Sequence, residues 1–137
     1  MEEIWINSAE EMVSFGETFT KRLSEGTCVA IVGNLGAGKT HFTKGVCQGL
    51  GNADSSSPTF TLVNEVMTES LTVYHFDFYR IKHIEELYDL GWDDYLDKGG
   101  VVIAEWADLY PELFPAGTIW LKIEHHEDRR RVLIKVV

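Results

Sequence analysis

The chain predicts an α/β fold, a mixed sheet with a parallel centre and antiparallel additions, flanked by helices. Three observations carry this expectation. Residues 27–32 and 101–104 are short apolar runs of the kind found in strands buried on both faces. Segments with apolar residues at helical spacing alternate with them. Residues 60–66 and 71–78 are β-rich runs divided by a short polar turn, which suggests an antiparallel hairpin.

Taken in order, Glu3, Ile4, Trp5 and Ile6 read as a first strand. Ser8 is a good N-cap with Glu11 three residues on, the pattern of a capping box. Met12, Val13, Phe15, Phe19 and Leu23 then fall near helical spacing, and Gly26 stops the helix. The strand at 27–32 leads through a glycine-rich turn into a helix over 41–50, closed by Gly51. Residues 52–58 are polar, rich in serine and closed by proline, hence a loop. After the hairpin, a helix with Ile84, Leu87 and Leu90 facing inward ends at Gly91, and 92–97 add a further turn. The central strand 101–104 ends in Glu105. Pro111, Pro115 and Gly117 mark a surface connection, and 118–124 and 132–137 close the chain as two more strands. With no repeat, low-complexity tract or linker, residues 1–137 read as one domain. A chain of this size buries about two-thirds of its unfolded surface.

Between the second strand and its helix, Gly33, Asn34, Leu35, Gly36, Ala37, Gly38, Lys39 and Thr40 match the phosphate-binding pattern G-x-x-x-x-G-K-[ST] at every required position. The glycines at 33, 36 and 38 let the backbone turn and leave no Cβ to keep phosphates away. Successive N–H groups then form an anion-binding nest, aided by the positive end of the helix dipole. Lys39 is placed to reach the β- and γ-phosphates, and the Thr40 hydroxyl to bind Mg²⁺. Strand, loop and helix in this order make the expected architecture P-loop NTPase-like.

The charge balance narrows the partners. Twenty-two acidic against twelve basic side chains give −10, with a pI near 4.8. Such a chain repels a phosphate backbone, so DNA or bulk RNA is not an expected direct partner. Lys122, Arg129, Arg130, Arg131 and Lys135 fall in the last sixteen positions, a small patch whose plain reading is a solvated hairpin end. No apolar run approaches the roughly 20 residues of a membrane span, and the N-terminus lacks the basic start of a signal peptide. Cys28 and Cys47, without C-x-x-C spacing, read as reduced core thiols, which points to the cytoplasm.

Hydrolysis needs more than a loop. A metal takes a carboxylate from a neighbouring strand end, and the attacking water must be oriented. Asp77 terminates one run and Glu105 another, and ligands gather at the carboxyl ends of strands in an open α/β sheet. For either alone, an exposed strand-end carboxylate is the plainer reading. Ser57-Pro58-Thr59-Phe60 holds two hydroxyls beside a stiffening proline, either a γ-phosphate sensor or a simple turn. Trp106 either packs over the site or fills the sheet edge, and Arg80 reads as a surface ion pair.

Ser57-Pro58-Thr59-Phe60, His75-Phe76-Asp77-Phe78-Tyr79-Arg80 and Glu105-Trp106, in this order behind the phosphate loop, resemble the bacterial TsaE family of tRNA threonylcarbamoyladenosine biosynthesis ATPases over nearly the whole chain. The resemblance implies a small ATPase needed to form threonylcarbamoyladenosine (t6A) beside the anticodon of tRNAs reading codons that start with A. It implies ATP and Mg²⁺ as cofactors, and two partner subunits, TsaD and TsaB, whose complex ATP hydrolysis resets. On the matching positions, Gly36 to His41 wrap the phosphates, and Thr40 and Glu105 hold Mg²⁺. Asp77 and Thr59 act near the γ-phosphate, Trp106 lies beside the site, and the turn around Ser8 to Glu10 approaches the adenine. The acidity then implies that tRNA is met mainly through the partners. A stand-alone small-molecule kinase lacks its arginine-rich lid here. A regulatory GTPase lacks N-K-x-D, since none of the four asparagines precedes lysine.

Overall fold

The computed structural model describes residues 1–33, 39–52 and 62–137. The strands are β1 (Glu2–Ile6), β2 (Cys28–Gly33), β3 (Val63–Val66), β4 (Val73–Asp77), β5 (Val101–Glu105), β6 (Ile119–His126) and β7 (Arg129–Val136). The α-helices are α1 (Ala9–Phe19), α2 (Lys39–Gly49), α3 (Glu85–Leu90) and α4 (Trp92–Leu96). Among the described residues, seven strands form one sheet in the order β1-β7-β6-β2-β5-β4-β3. The pairs β6–β2, β2–β5 and β5–β4 are parallel. The pairs β1–β7, β7–β6 and β4–β3 are antiparallel. The expected α/β fold with a parallel centre and antiparallel additions is the fold observed.

Strands β2 and β5 are apolar at successive positions because both of their faces are covered. On one face Val29, Ile31, Val73, Val101 and Ile103 meet Met12, Phe19, Phe42 and Val46 of α1 and α2. On the other, Cys28, Tyr74, Phe76, Val102 and Ala104 meet Phe78, Leu87 and Trp92. The Trp92 ring is fully buried and meets Phe76 edge-on at 4.9 Å between centroids. Its indole N–H donates to the Leu113 carbonyl at 3.2 Å, so the polar handle of the ring is satisfied.

Helix α1 starts as the sequence predicts. The Glu11 amide donates to Ser8 Oγ at 3.1 Å. The reciprocal arm differs: Glu11 Oε2 accepts from the Asn7 amide at 2.5 Å, one residue before the N-cap. Helices α1 and α2 press together through glycines. A Cβ at Gly45 would lie 3.0 Å from Val13 Cα, and one at Gly49 would lie 3.0 Å from Glu17 Cα. Val13 therefore faces Gly45 and Glu17 faces Gly49, so the helices run in the same direction. The first turn of α1 sits at the same end as the first turn of α2.

Four expectations are corrected. Helix α1 does not run to Gly26: it ends at Phe19, the 3₁₀ turn Thr20–Arg22 follows, and Leu23 is already extended. Leu90 is not inward; it is 36% exposed. Gly91 takes the left-handed conformation (φ 88°) and turns the chain into α4, whose Trp92 occupies the core beside Leu87. Phe78 is not part of a strand, because the chain leaves β4 at Asp77 for the 3₁₀ turn Phe78–Arg80. The last strand begins at Arg129, well before residue 132, since only Glu127 and Asp128 separate it from β6. The long basic side chains fit this position because one sheet face is solvated there. Arg131 reaches Glu3 at 2.6 Å and Glu124 at 3.2 Å, Lys122 reaches Glu124 at 3.5 Å, and Arg129 lies over the Trp5 ring at 4.1 Å. The patch is a solvated hairpin end with much of its charge locally paired.

Candidate functional site

Strands β5 and β4 end level with one another, and β2 runs two residues further, to Gly33. Ile31 is in register with Glu105, and Glu105 with Asp77. Register partners in a parallel pair point to the same face, and side chains alternate along each strand. Ile31 belongs to the face covered by α1 and α2. Asp77, Glu105 and, two residues before Asp77, His75 therefore project toward that same face. The sheet thus sets two acidic residues opposite one another on adjacent strands, whose backbones lie about 4.8 Å apart. They stand at the carboxyl edge of its parallel part, where α/β proteins bind ligands.

Each carboxylate has its own partner. Glu105 is 8% exposed, and its Oε2 lies 2.7 Å from His75 Nε2. An ionised carboxylate only accepts, so the imidazole donates here. Asp77 is half-buried and caps the following 3₁₀ turn: its Oδ1 accepts from the Tyr79 amide at 3.1 Å. Its Oδ2 lies 3.6 Å from Arg80 Nε, the ion pair expected of that arginine. Two adjacent negative charges are in this way each offset by a donor from β4 or the turn after it.

The phosphate-loop residues divide. Gly33 ends β2, and a Cβ there would fall 2.5 Å from the Ile123 carbonyl oxygen of β6. The absence of a side chain at this position is required by the neighbouring strand, a reason the local motif does not reveal. Thr40 and His41 lie exposed on the first turn of α2. Helix N-termini favour anions through unsatisfied N–H groups and the helix dipole. Asn34, Leu35, Gly36, Ala37, Gly38 and Thr59 lie outside the described residues, as does the side chain of Lys39.

Trp106 follows Glu105 in the left-handed region (φ 59°, ψ 37°). For a bulky residue this costs about 1–2 kcal/mol. It swings the chain off β5 into the 3₁₀ turn Ala107–Leu109. The Trp106 ring meets Tyr79 at 5.0 Å and packs on the Phe76–Phe78–Trp92 side of the sheet, the edge-filling arrangement. Ser8 is occupied in capping α1, at the same end of the sheet as α2's first turn.

His75 is a residue to which the sequence motifs assign no role of its own. Its signal was present: on a strand with Val73 buried, a polar residue at the alternate position, followed two residues later by Asp77, marks a face that turns from core to site. What sequence alone could not supply was the register that sets it against Glu105.

Comparison with known proteins bears on the chain as a whole. Residues 6–133 match the family model described as threonylcarbamoyl adenosine biosynthesis protein TsaE. The tRNA threonylcarbamoyladenosine biosynthesis protein TsaE of Haemophilus influenzae is 35% identical over 127 residues, covering 88% of this chain and 80% of that protein. The protein of the same name from Bacillus subtilis is 41% identical over 107 residues, covering 77% of this chain and 66% of its own. The crystal structure of Bacillus subtilis YdiB superposes with a TM-score of 0.83 at 31% identity, over 99% of this chain and 85% of that one. A family match across nearly the whole chain, with relatives and a solved fold in agreement, leads to one conclusion: the chain belongs to the TsaE family of tRNA threonylcarbamoyladenosine biosynthesis.

Proposed function

We propose that residues 1–137 form one Mg²⁺-dependent ATPase domain that serves t6A modification of the adenosine next to the anticodon. In this reading it binds ATP and drives or resets a TsaB–TsaD partner complex in the cytoplasm. One observation carries the reading: Asp77 and Glu105 stand side by side at the carboxyl ends of adjacent parallel strands, on the face of the helix that opens with Lys39-Thr40. Binding alone would not call for two carboxylates there.

The donor set suits Mg²⁺, a hard cation that takes oxygen ligands and few of them from protein. The Thr40 hydroxyl and the Glu105 carboxylate supply such oxygens, and the hydrogen bond from His75 to Oε2 fixes the direction of Oε1. Held there, Mg²⁺ would supply charge neutralisation to the phosphates. Lys39 adds a fixed cation, and Gly33 to His41 supply the backbone cradle. Asp77, with Thr59, orients the attacking water. Glu105, buried and held by His75, suits a fixed ligand, whereas the half-buried Asp77 keeps enough exposure to meet water.

The chain's acidity supports a docking role in which tRNA is held by the partners. The test is ATP hydrolysis by the purified protein with Mg²⁺, alone and with TsaD and TsaB. Turnover is expected to be slow alone and stimulated by the partners, because a site completed by a partner is idle without it. Absence of nucleotide binding, or a metabolite-kinase activity without any response to the partners, would refute the reading. Tight tRNA binding by the isolated chain in a mobility-shift assay at physiological salt would sink the indirect contact with tRNA.

A further inference from the structure

We propose that His75 is a positioning residue: its Nε2–H holds the Glu105 carboxylate in the orientation that receives Mg²⁺. The proposal rests on the reading of Glu105 as a metal ligand. His75 is in register with Ile103, one alternation behind the Asp77–Glu105 pair, so its ring reaches diagonally across the strands on the face they share. The contact is 2.7 Å between side chains only 13% and 10% exposed. Charge-assisted hydrogen bonds of this length are the stronger kind, and little water competes for them at such burial.

A glutamate has three rotatable side-chain bonds, and freezing them costs up to about 2 kcal/mol. A carboxylate at the last position of a strand would otherwise turn between the sheet edge and the solvent. The bond to His75 removes that freedom before any cation arrives. It also leaves the ligand set itself unchanged, because the imidazole engages Oε2 and orients Oε1. Asp77 cannot do this work, because a carboxylate has no proton to donate to Glu105. Partners one step removed from a metal typically change its affinity by about 10–100-fold when lost.

The experiment measures affinity for a fluorescent ADP analogue in Mg²⁺ and in EDTA, on the purified full-length protein. His75→Leu keeps bulk and loses the donor. It is expected to cut the Mg²⁺-dependent gain in affinity by about tenfold or more, with affinity in EDTA unchanged. His75→Gln, whose amide N–H can occupy the place of Nε2–H, is expected to restore most of the gain. Equal losses in both conditions would mean a purely structural role and overturn the proposal, as would wild-type Mg²⁺ dependence in a folded His75→Leu protein.

Glu105→Gln separates the two levels of the argument. If it leaves Mg²⁺ dependence intact, the metal-ligand reading fails and this proposal with it. If it abolishes Mg²⁺ dependence while His75→Leu does not, only the positioning role falls. Nitrogen-15 NMR of the wild-type imidazole needs no variant of His75. A proton on Nε2, protected from exchange and shifted by Glu105→Gln, is expected; a ring with its proton on Nδ1 alone overturns the proposal.

Discussion

Gly45→Ala sets helix propensity against packing, and the two predict opposite signs. Gly45 lies within α2, where alanine is intrinsically better by about 1 kcal/mol. An added Cβ, however, would fall 2.8 Å from the Val13 carbonyl carbon and 3.0 Å from Val13 Cα on α1, with the oxygen nearer still. These are backbone atoms and cannot rotate away. Carbon pairs are comfortable at about 3.5–4.0 Å, so the helices must part by roughly 0.7–1.2 Å. A gap of that size forfeits about a quarter to a half of each dispersion contact across the interface. The contacts at stake include the Phe15, Phe19 and Phe42 rings, whose centroids lie 5.2–5.8 Å apart. Overpacking of this kind costs about 1–3 kcal/mol, at the upper end where backbone is struck. After the propensity gain, a net loss of about 1–2 kcal/mol remains, equivalent to a fall in Tm of roughly 4–8 °C for a chain of this length. Urea and thermal unfolding followed by circular dichroism would measure it. A Gly45→Ala protein as stable as the wild type, or more stable, would refute the close-crossing argument.

Other outcomes are open to direct measurement. Lys39→Ala should abolish ATP binding or turnover, read by a fluorescent nucleotide and phosphate release, because the β/γ-phosphate charge loses its fixed cation. Asp77→Asn keeps an acceptor for the Tyr79 amide, while Asp77→Ala removes the cap. Both variants should lose partner-stimulated hydrolysis, but only the alanine should lose stability, by about 1 kcal/mol. Unchanged hydrolysis in either would remove Asp77 from the site. Burial pushes the Cys28 thiol from 9.0 up to about 12 and the Cys47 thiol up to about 11. Both should therefore resist a thiol reagent near neutral pH in the folded protein and react in urea. For groups with raised folded values the unfolded chain ionises first. Stability is thus unaffected by these thiols below about pH 9 and falls as pH rises toward the folded values. A pH titration of urea midpoints, compared with Cys28→Ala, would detect this.

Much of the architecture was legible because it is written in short-range chemistry. The apolar runs of β2 and β5, the Ser8 cap and the polar turn between β3 and β4 each depend on neighbours within a few residues. Leu90 was misplaced for the same reason: helical spacing put it inward, but the reversal at Gly91 hands the core position to Trp92. Arg129 to Arg131 read as the solvated end of a hairpin, with the last strand starting at residue 132. Only their cross-strand acids, Glu3 and Glu124, and the Trp5 ring make that register sensible.

The candidate site divides along the same line. By itself the sequence determined the residue types, their order and the family, since Gly33 to Thr40, Asp77 and Glu105-Trp106 are local motifs with local requirements. The tertiary structure alone decided that Asp77 and Glu105 are register partners, that His75 reaches Glu105, and that Gly33 is small because Ile123 of β6 passes beside it. These are contacts between strands far apart in sequence. They are set by sheet order and register, which arise from the packing of the whole chain rather than from any one segment.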